Sequence, residues 1–138
     1  MFSNYKSKEA VIAQGWILMF LIFVCTLMME FLYAVIGNDL TIFTSQEGAT
    51  GLKVMTLLML LHAFVPMLVV TFQQRWLRWA VAILTMIFGL LMLGHELFHI
   101  FVLENRAFGL RDALDISHHC LAIWVSLIAV SWAKDARA

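Results

Sequence analysis

Charge is what this sequence has least of. Asp, Glu, Lys and Arg together make up 13% of its 138 residues, where a soluble domain carries about 25%. The nine basic and nine acidic residues cancel, so there is no basic surface of the kind nucleic acid needs. There is a single proline, no low-complexity tract and no clear internal repeat. The two cysteines, Cys25 and Cys120, lie in separate apolar runs, and they read as small hydrophobes rather than as a disulfide. No cleavable leader is expected, because the first apolar run is too long for an h-region and no small-x-small site follows it.

What remains is apolar. Hydrophobic residues make up 63% of the chain and the mean hydropathy is +0.91, which points to an integral membrane protein. Four runs are long enough to cross a bilayer, for which about 20 helical residues suffice. They cover 11–36, 52–72, 81–103 and 113–132. The fold class expected is therefore an all-α membrane protein, a single domain built as a four-transmembrane-helix bundle. Trp16 and Tyr33 are placed as interfacial anchors of the first span. The connections are a polar loop from Gly37 to Gly51, a basic turn Gln73 to Trp79, and a charged loop Glu104 to Asp112. Pro66 is expected to kink the second span and to free the carbonyl of His62.

Lys6, Lys8, Arg75, Arg78, Lys134 and Arg137 fall on one side, against Lys53, Arg106 and Arg111 on the other. By the positive-inside rule both the N- and C-termini are cytoplasmic and the two longer loops face outward. The expected location is the inner (cytoplasmic) membrane of a bacterium.

Against this background the stretch Gly94-His95-Glu96-Leu97-Phe98-His99 needs a reason. A charge at the centre of a spanning helix costs at least about 2.5–3.5 kcal/mol on insertion scales. The other spans carry ionisable residues too: Glu30 on the first, His62 on the second, Asp115, His118 and His119 on the fourth. At about 1.5 Å of rise per residue, all of these lie roughly 6–15 Å in from the outer ends of their spans. One polar layer in the outer leaflet results. Helical periodicity gives each span one polar stripe: Thr26, Glu30, Tyr33; Met55, Met59, His62, Pro66; Thr85, Met92, His95, Glu96, His99; Asp115, His118, His119, Ser126. These stripes are expected to face the bundle interior.

Imidazoles with carboxylates in a dry layer suit a transition metal, with Zn or Fe the first choices. The expected metal ligands are His95, His99, His118, His119, Glu30 and Asp115. His95-Glu96-x-x-His99 resembles the zinc-hydrolase signature, which implies His95 and His99 as ligands and Glu96 as the catalytic base. Glu96-x-x-His99 with Asp115-x-x-His118 also resembles the paired halves of a carboxylate-bridged two-metal bundle, with His62 and Asp115 departing from that pattern. The alternative is an electron-transfer subunit in which His62 and His95 are axial ligands to haem b. In that reading Arg106, Arg111 and Lys53 meet the propionates, and Met55, Met59 and Met92 line the pocket. A hydrogen-bonded polar plug, a transporter or metal sensor, and a non-catalytic accessory subunit are weaker alternatives. The partners expected are the lipid bilayer, a quinone or lipid-like or small substrate, and other membrane subunits or further copies of the chain.

Overall fold

The computed structural model describes residues 7–37, 45–72, 74–103 and 108–135. They form four long helices: α1 (Lys8–Ile36), α2 (Gln46–Thr71), α3 (Arg75–Phe98), which runs on into a π-helical turn (His99–Leu103), and α4 (Leu110–Lys134). All four are long and apolar enough to span a membrane. Their exposed Leu, Ile, Val, Phe and Met side chains are those a bilayer would cover.

Each helix begins further out than its apolar run. The polar loop expected to reach Gly51 stops at Ser45, whose Oγ accepts the Gly48 N–H at 2.9 Å. Ser7 caps α1 in the same way, accepting from the Ala10 N–H at 3.3 Å. At the head of α4 the Asp112 carboxylate accepts the Gly109 N–H at 2.7 Å. Among the described residues of the basic turn only Gln74 is non-helical, and Arg75 to Trp79 already belong to α3. Backbone groups near the membrane edge are best satisfied by continuing the helix, and at α1 and α2 a serine cap closes it where the first N–H groups would be left open. α2 stays helical through Pro66. Part of the expected charged loop, residues 104–107, and the basic residues Lys6, Arg106 and Arg137 lie outside the described residues.

α4 is the central element. It packs along both α1 and α3, α1 also packs on α2, and α2 touches α3 only slightly. Two glycines allow the close approach. A Cβ on Gly15 of α1 would sit 2.3 Å from Val125 Cγ2, and one on Gly89 of α3 would sit 3.0 Å from the Ile123 backbone nitrogen. Both distances are below contact, so α4 is gripped from its two sides near mid-length.

The apolar core is Ile12, Trp16, Met19, Val65, Val69, Val81, Ala82, Ala122, Val125, Ala129 and Trp132. All of it lies in the half of the bundle that carries the termini. There Trp132 ties three helices together. Its indole N–H donates to Glu9 Oε1 at 2.7 Å, its carbonyl accepts from Arg78 at 3.1 Å, and the Arg78 guanidinium lies 4.6 Å over its ring. Lys8 adds bonds to Ser131 and Asp135 of α4.

Toward the loops the bundle opens. From Gln46 to Leu61, no described side chain of α2 is fully buried. On α3 burial stops at Gly89 and resumes only at Ile100. α4 alone keeps a buried stripe along its whole length, from Asp112 to Ala133.

Candidate functional site

At the floor of the open half His62 of α2 and His118 of α4 meet. Their Nε2 atoms are 3.2 Å apart, and both residues are buried. The Nδ1 of His62 lies 2.7 Å from the Leu58 carbonyl. A carbonyl only accepts, so Nδ1 carries the proton, and in the neutral ring Nε2 keeps its lone pair aimed at His118. His119 is also buried and its ring stacks beside that of His118, with 5.2 Å between centroids. Its Nδ1 has no hydrogen-bond partner.

Aromatic rings close the pair off. Phe23 stacks on His62 at 5.6 Å with planes 5° apart, and Trp16 meets it edge-on at 5.1 Å. Phe88 of α3 touches His62, His118 and His119 at 5.8, 5.7 and 5.9 Å. Trp16 is therefore a fully buried wall of the site rather than an interfacial anchor. Residues 16, 19, 23, 26 and 30 form one 3–4 spaced stripe on α1, and Trp16 and Phe23 belong to it. Following that stripe inward from Glu30 and Thr26 would have found both.

Above the pair lies a second polar level. Arg111 of α4 bonds Glu30 of α1 at 2.7 Å and reaches Asp115 one turn along at 3.7 Å. Thr26, buried on α1 one turn before Glu30, donates its hydroxyl to the Ile22 carbonyl at 3.3 Å. Glu96 of α3 is half-buried. His95 and His99 face each other with ring centroids 4.7 Å apart, as the i, i+4 spacing requires. Here the α3 helix changes to the π-helical turn, a distortion frequent at functional sites.

The expected ionisable residues of α1, α3 and α4 thus lie in the loop half, His62 lies past the middle of α2, and together they do not form one tight cluster. His62 is aimed at His118 and not at His95, the partner that the haem reading gives it. His95 is exposed rather than interior, because α3 has no helix against that face in the open half. Glu30 and Asp115 are engaged by Arg111. Among the described residues no three His, Cys, Asp or Glu side chains are gathered closely enough to hold one ion. Cys25 and Cys120 are free thiols, and they sit on exposed faces of α1 and α4 rather than buried. The chain matches no known family model, no characterised protein and no solved structure.

Proposed function

We propose that the chain is an integral membrane metalloprotein whose transition-metal ion, Zn or Fe, is held in the loop half of the bundle with His62 and His118 as its first two ligands. The observation that carries this reading is the 3.2 Å approach of the two Nε2 atoms together with the Nδ1 bond to the Leu58 carbonyl. Two imidazole nitrogens each about 2.0–2.1 Å from a tetrahedral zinc stand about 3.3 Å apart. A ligating histidine almost always donates its other ring N–H to a carboxylate, a carbonyl or water. His62 has both properties. His119, with its unpartnered Nδ1, is the nearest further donor, and His95, His99, Glu30 and Asp115 are the outer candidates.

A bound ion would supply Lewis acidity and coordination positions left open to a water or substrate. The protein's own share is to exclude water from the ion's lower side with Trp16, Phe23 and Phe88 and to leave the loop side accessible. In an enzyme of this form we assign Glu96 as the base that takes a proton, and the substrate is lipid-like or a small molecule entering the open half.

Elemental analysis of the purified protein tests the reading. The wild type is expected to hold a transition metal in near-stoichiometric amount, and His62→Ala and His118→Ala to lose it while remaining folded in the membrane. Metal-free wild-type protein, or variants that keep their metal, would overturn the assignment. A strong Soret absorbance would replace it with the haem reading, and the 3.2 Å pair would then be only the N–H···N hydrogen bond that its distance also allows.

A further inference from the structure

The four helices do not close into a full ring. α4 packs along α1 and α3 and α1 packs along α2, but α2 and α3 touch only slightly. Their seam is shut at the termini end, where Val65 and Val69 of α2 share one buried cluster with Val81 and Ala82 of α3. It is still shut at the histidine pair, where the Phe88 ring meets His62 at 5.8 Å. Above that level burial fails on both walls. On the His62 face of α2, Met55, Leu58 and Met59 are only half-buried. Phe88, Met92, His95 and His99 follow one another in steps of four, three and four residues, so they share one face of α3. Along that face Met92 and His99 are half-buried and His95 is exposed. Both helices are long and apolar enough to span the membrane here, and an open seam at that depth meets lipid rather than water.

A second observation points to a ligand at the foot of the seam. His119 is only 6% exposed, and its Nδ1 has no hydrogen-bond partner. Its ring stands against Phe88 at 5.9 Å, the same ring that touches His62. A buried nitrogen left unpaired carries a desolvation cost that a bound polar atom would relieve. The charge of the walls says which kind of head suits the place. Between Lys53 and Arg75, and again between Arg78 and Leu103, there is no Lys or Arg. Neither wall therefore offers a cation to an anionic head, and the ionisable groups they do carry are Glu96 and imidazoles.

We infer that the α2–α3 seam is a lateral entrance from the bilayer for a molecule with a long apolar chain and a small, uncharged, hydroxyl-bearing head. The chain lies along Met55, Met59 and Met92, whose unbranched thioether side chains adapt to a flexible partner. The head reaches the foot of the seam and pairs with His119 Nδ1. A hydroxyl both donates and accepts, so it satisfies that nitrogen in either tautomer. This names the substrate class of the reading above, and it rests on that reading for the chemistry done on the molecule but not for its binding.

The test is labelling by hexadecanol carrying a photoactivatable diazirine on its chain, with the full chain in nanodiscs of zwitterionic lipid and the labelled residues mapped by mass spectrometry. Label is expected on Met55, Met59 and Met92, and also on lipid-facing residues such as Leu57 and Leu127, which are exposed. An excess of plain hexadecanol should abolish the label in the seam and leave most of the outer label. Palmitate, with the same chain length and an anionic head, should not compete. Met59→Trp fills the seam and should lose the competed label, whereas Leu57→Trp should keep it. His119→Phe keeps a ring and removes the nitrogen, and the hexadecanol needed to compete should rise about tenfold. Seam label that plain hexadecanol does not compete, seam residues that take no label because a second copy covers them, or equal competition by palmitate would each overturn the inference. Zinc and iron are measured on the same samples. Metal-free protein that shows the competed label would uphold the entrance and overturn the metalloprotein reading, and metal-loaded protein without it would overturn the entrance alone.

Discussion

The two halves of this bundle are made from the same four helices and obey different rules. In the termini half, small residues bring backbones together, the apolar core is continuous, and polar groups such as Glu9, Arg78 and Lys8 serve as clamps around Trp132. In the loop half α2 buries no described side chain above His62, and the polar groups pair directly from helix to helix, as Arg111 does with Glu30. Since lipid tails are as apolar as leucine, no hydrophobic force draws spanning helices together, and close packing of small residues must do it. Where Gly15, Gly89, Ala122 and Ala129 are present the helices close. Beyond Gly89 and Ala122 the contact faces carry bulkier or polar side chains, and the helices part. Stability and site have thus been allotted to opposite ends of one set of helices.

The sharpest attack on this contrast is Trp132→Ala. It removes a fully buried ring along with the indole bond to Glu9 and the stacked Arg78, and large-aromatic deletions of this kind cost about 3–5 kcal/mol. Reversible unfolding in mixed micelles should report a loss of that size, and a change near zero would show that the termini half is not where stability resides. Gly89→Ala comes next. Its added methyl would sit 3.0 Å from the Ile123 backbone nitrogen, and overpacking costs about 1–3 kcal/mol, read as a lowered midpoint in the same titration.

Gly94→Ala, five residues further along the same helix, is the matched control. A Cβ there meets nothing within 4 Å, so the substitution should stabilise α3 by up to about 1 kcal/mol through helix propensity alone. Equal losses at Gly89 and Gly94 would erase the distinction between the halves. The smallest effect is expected of Glu30→Gln. A partly exposed ion pair is worth about 0–1 kcal/mol, so unfolding should hardly change. A large loss of stability would instead make the Glu30–Arg111 pair a structural strut.

The architecture was largely legible in the sequence. Four apolar runs of sufficient length left few alternatives, and the helix ends erred outward because polar residues at a membrane edge extend a helix as readily as they end it. The common depth of the polar residues was less so: α2 begins at Gln46, six residues before its apolar run, which puts His62 nearer the basic-turn end of the helix than the loop end. Partnership across helices was harder to read. Periodicity puts His62, His95 and His118 on interior stripes but says nothing of which helices adjoin, and α4 lies between α1 and α3 while α2 and α3 stay apart. That arrangement pairs His62 with His118 and leaves His95 exposed. Trp16 was misread for a related reason: a tryptophan near a span end suits the headgroup region, and only the neighbouring helices reveal that it faces inward.

The central place of α4 also has a consequence for how the molecule is made. Of the four spans it is the last to leave the ribosome, yet α1 and α3 find their main partner in it, and α2 and α3 have little to offer each other. The first three helices can enter the bilayer one by one, but α3 must wait there without a partner until α4 arrives. The histidine pair joins the second span to the fourth. A nascent chain therefore holds no such pair until its final span is in place, and any ion that needs both imidazoles can bind only to a completed bundle.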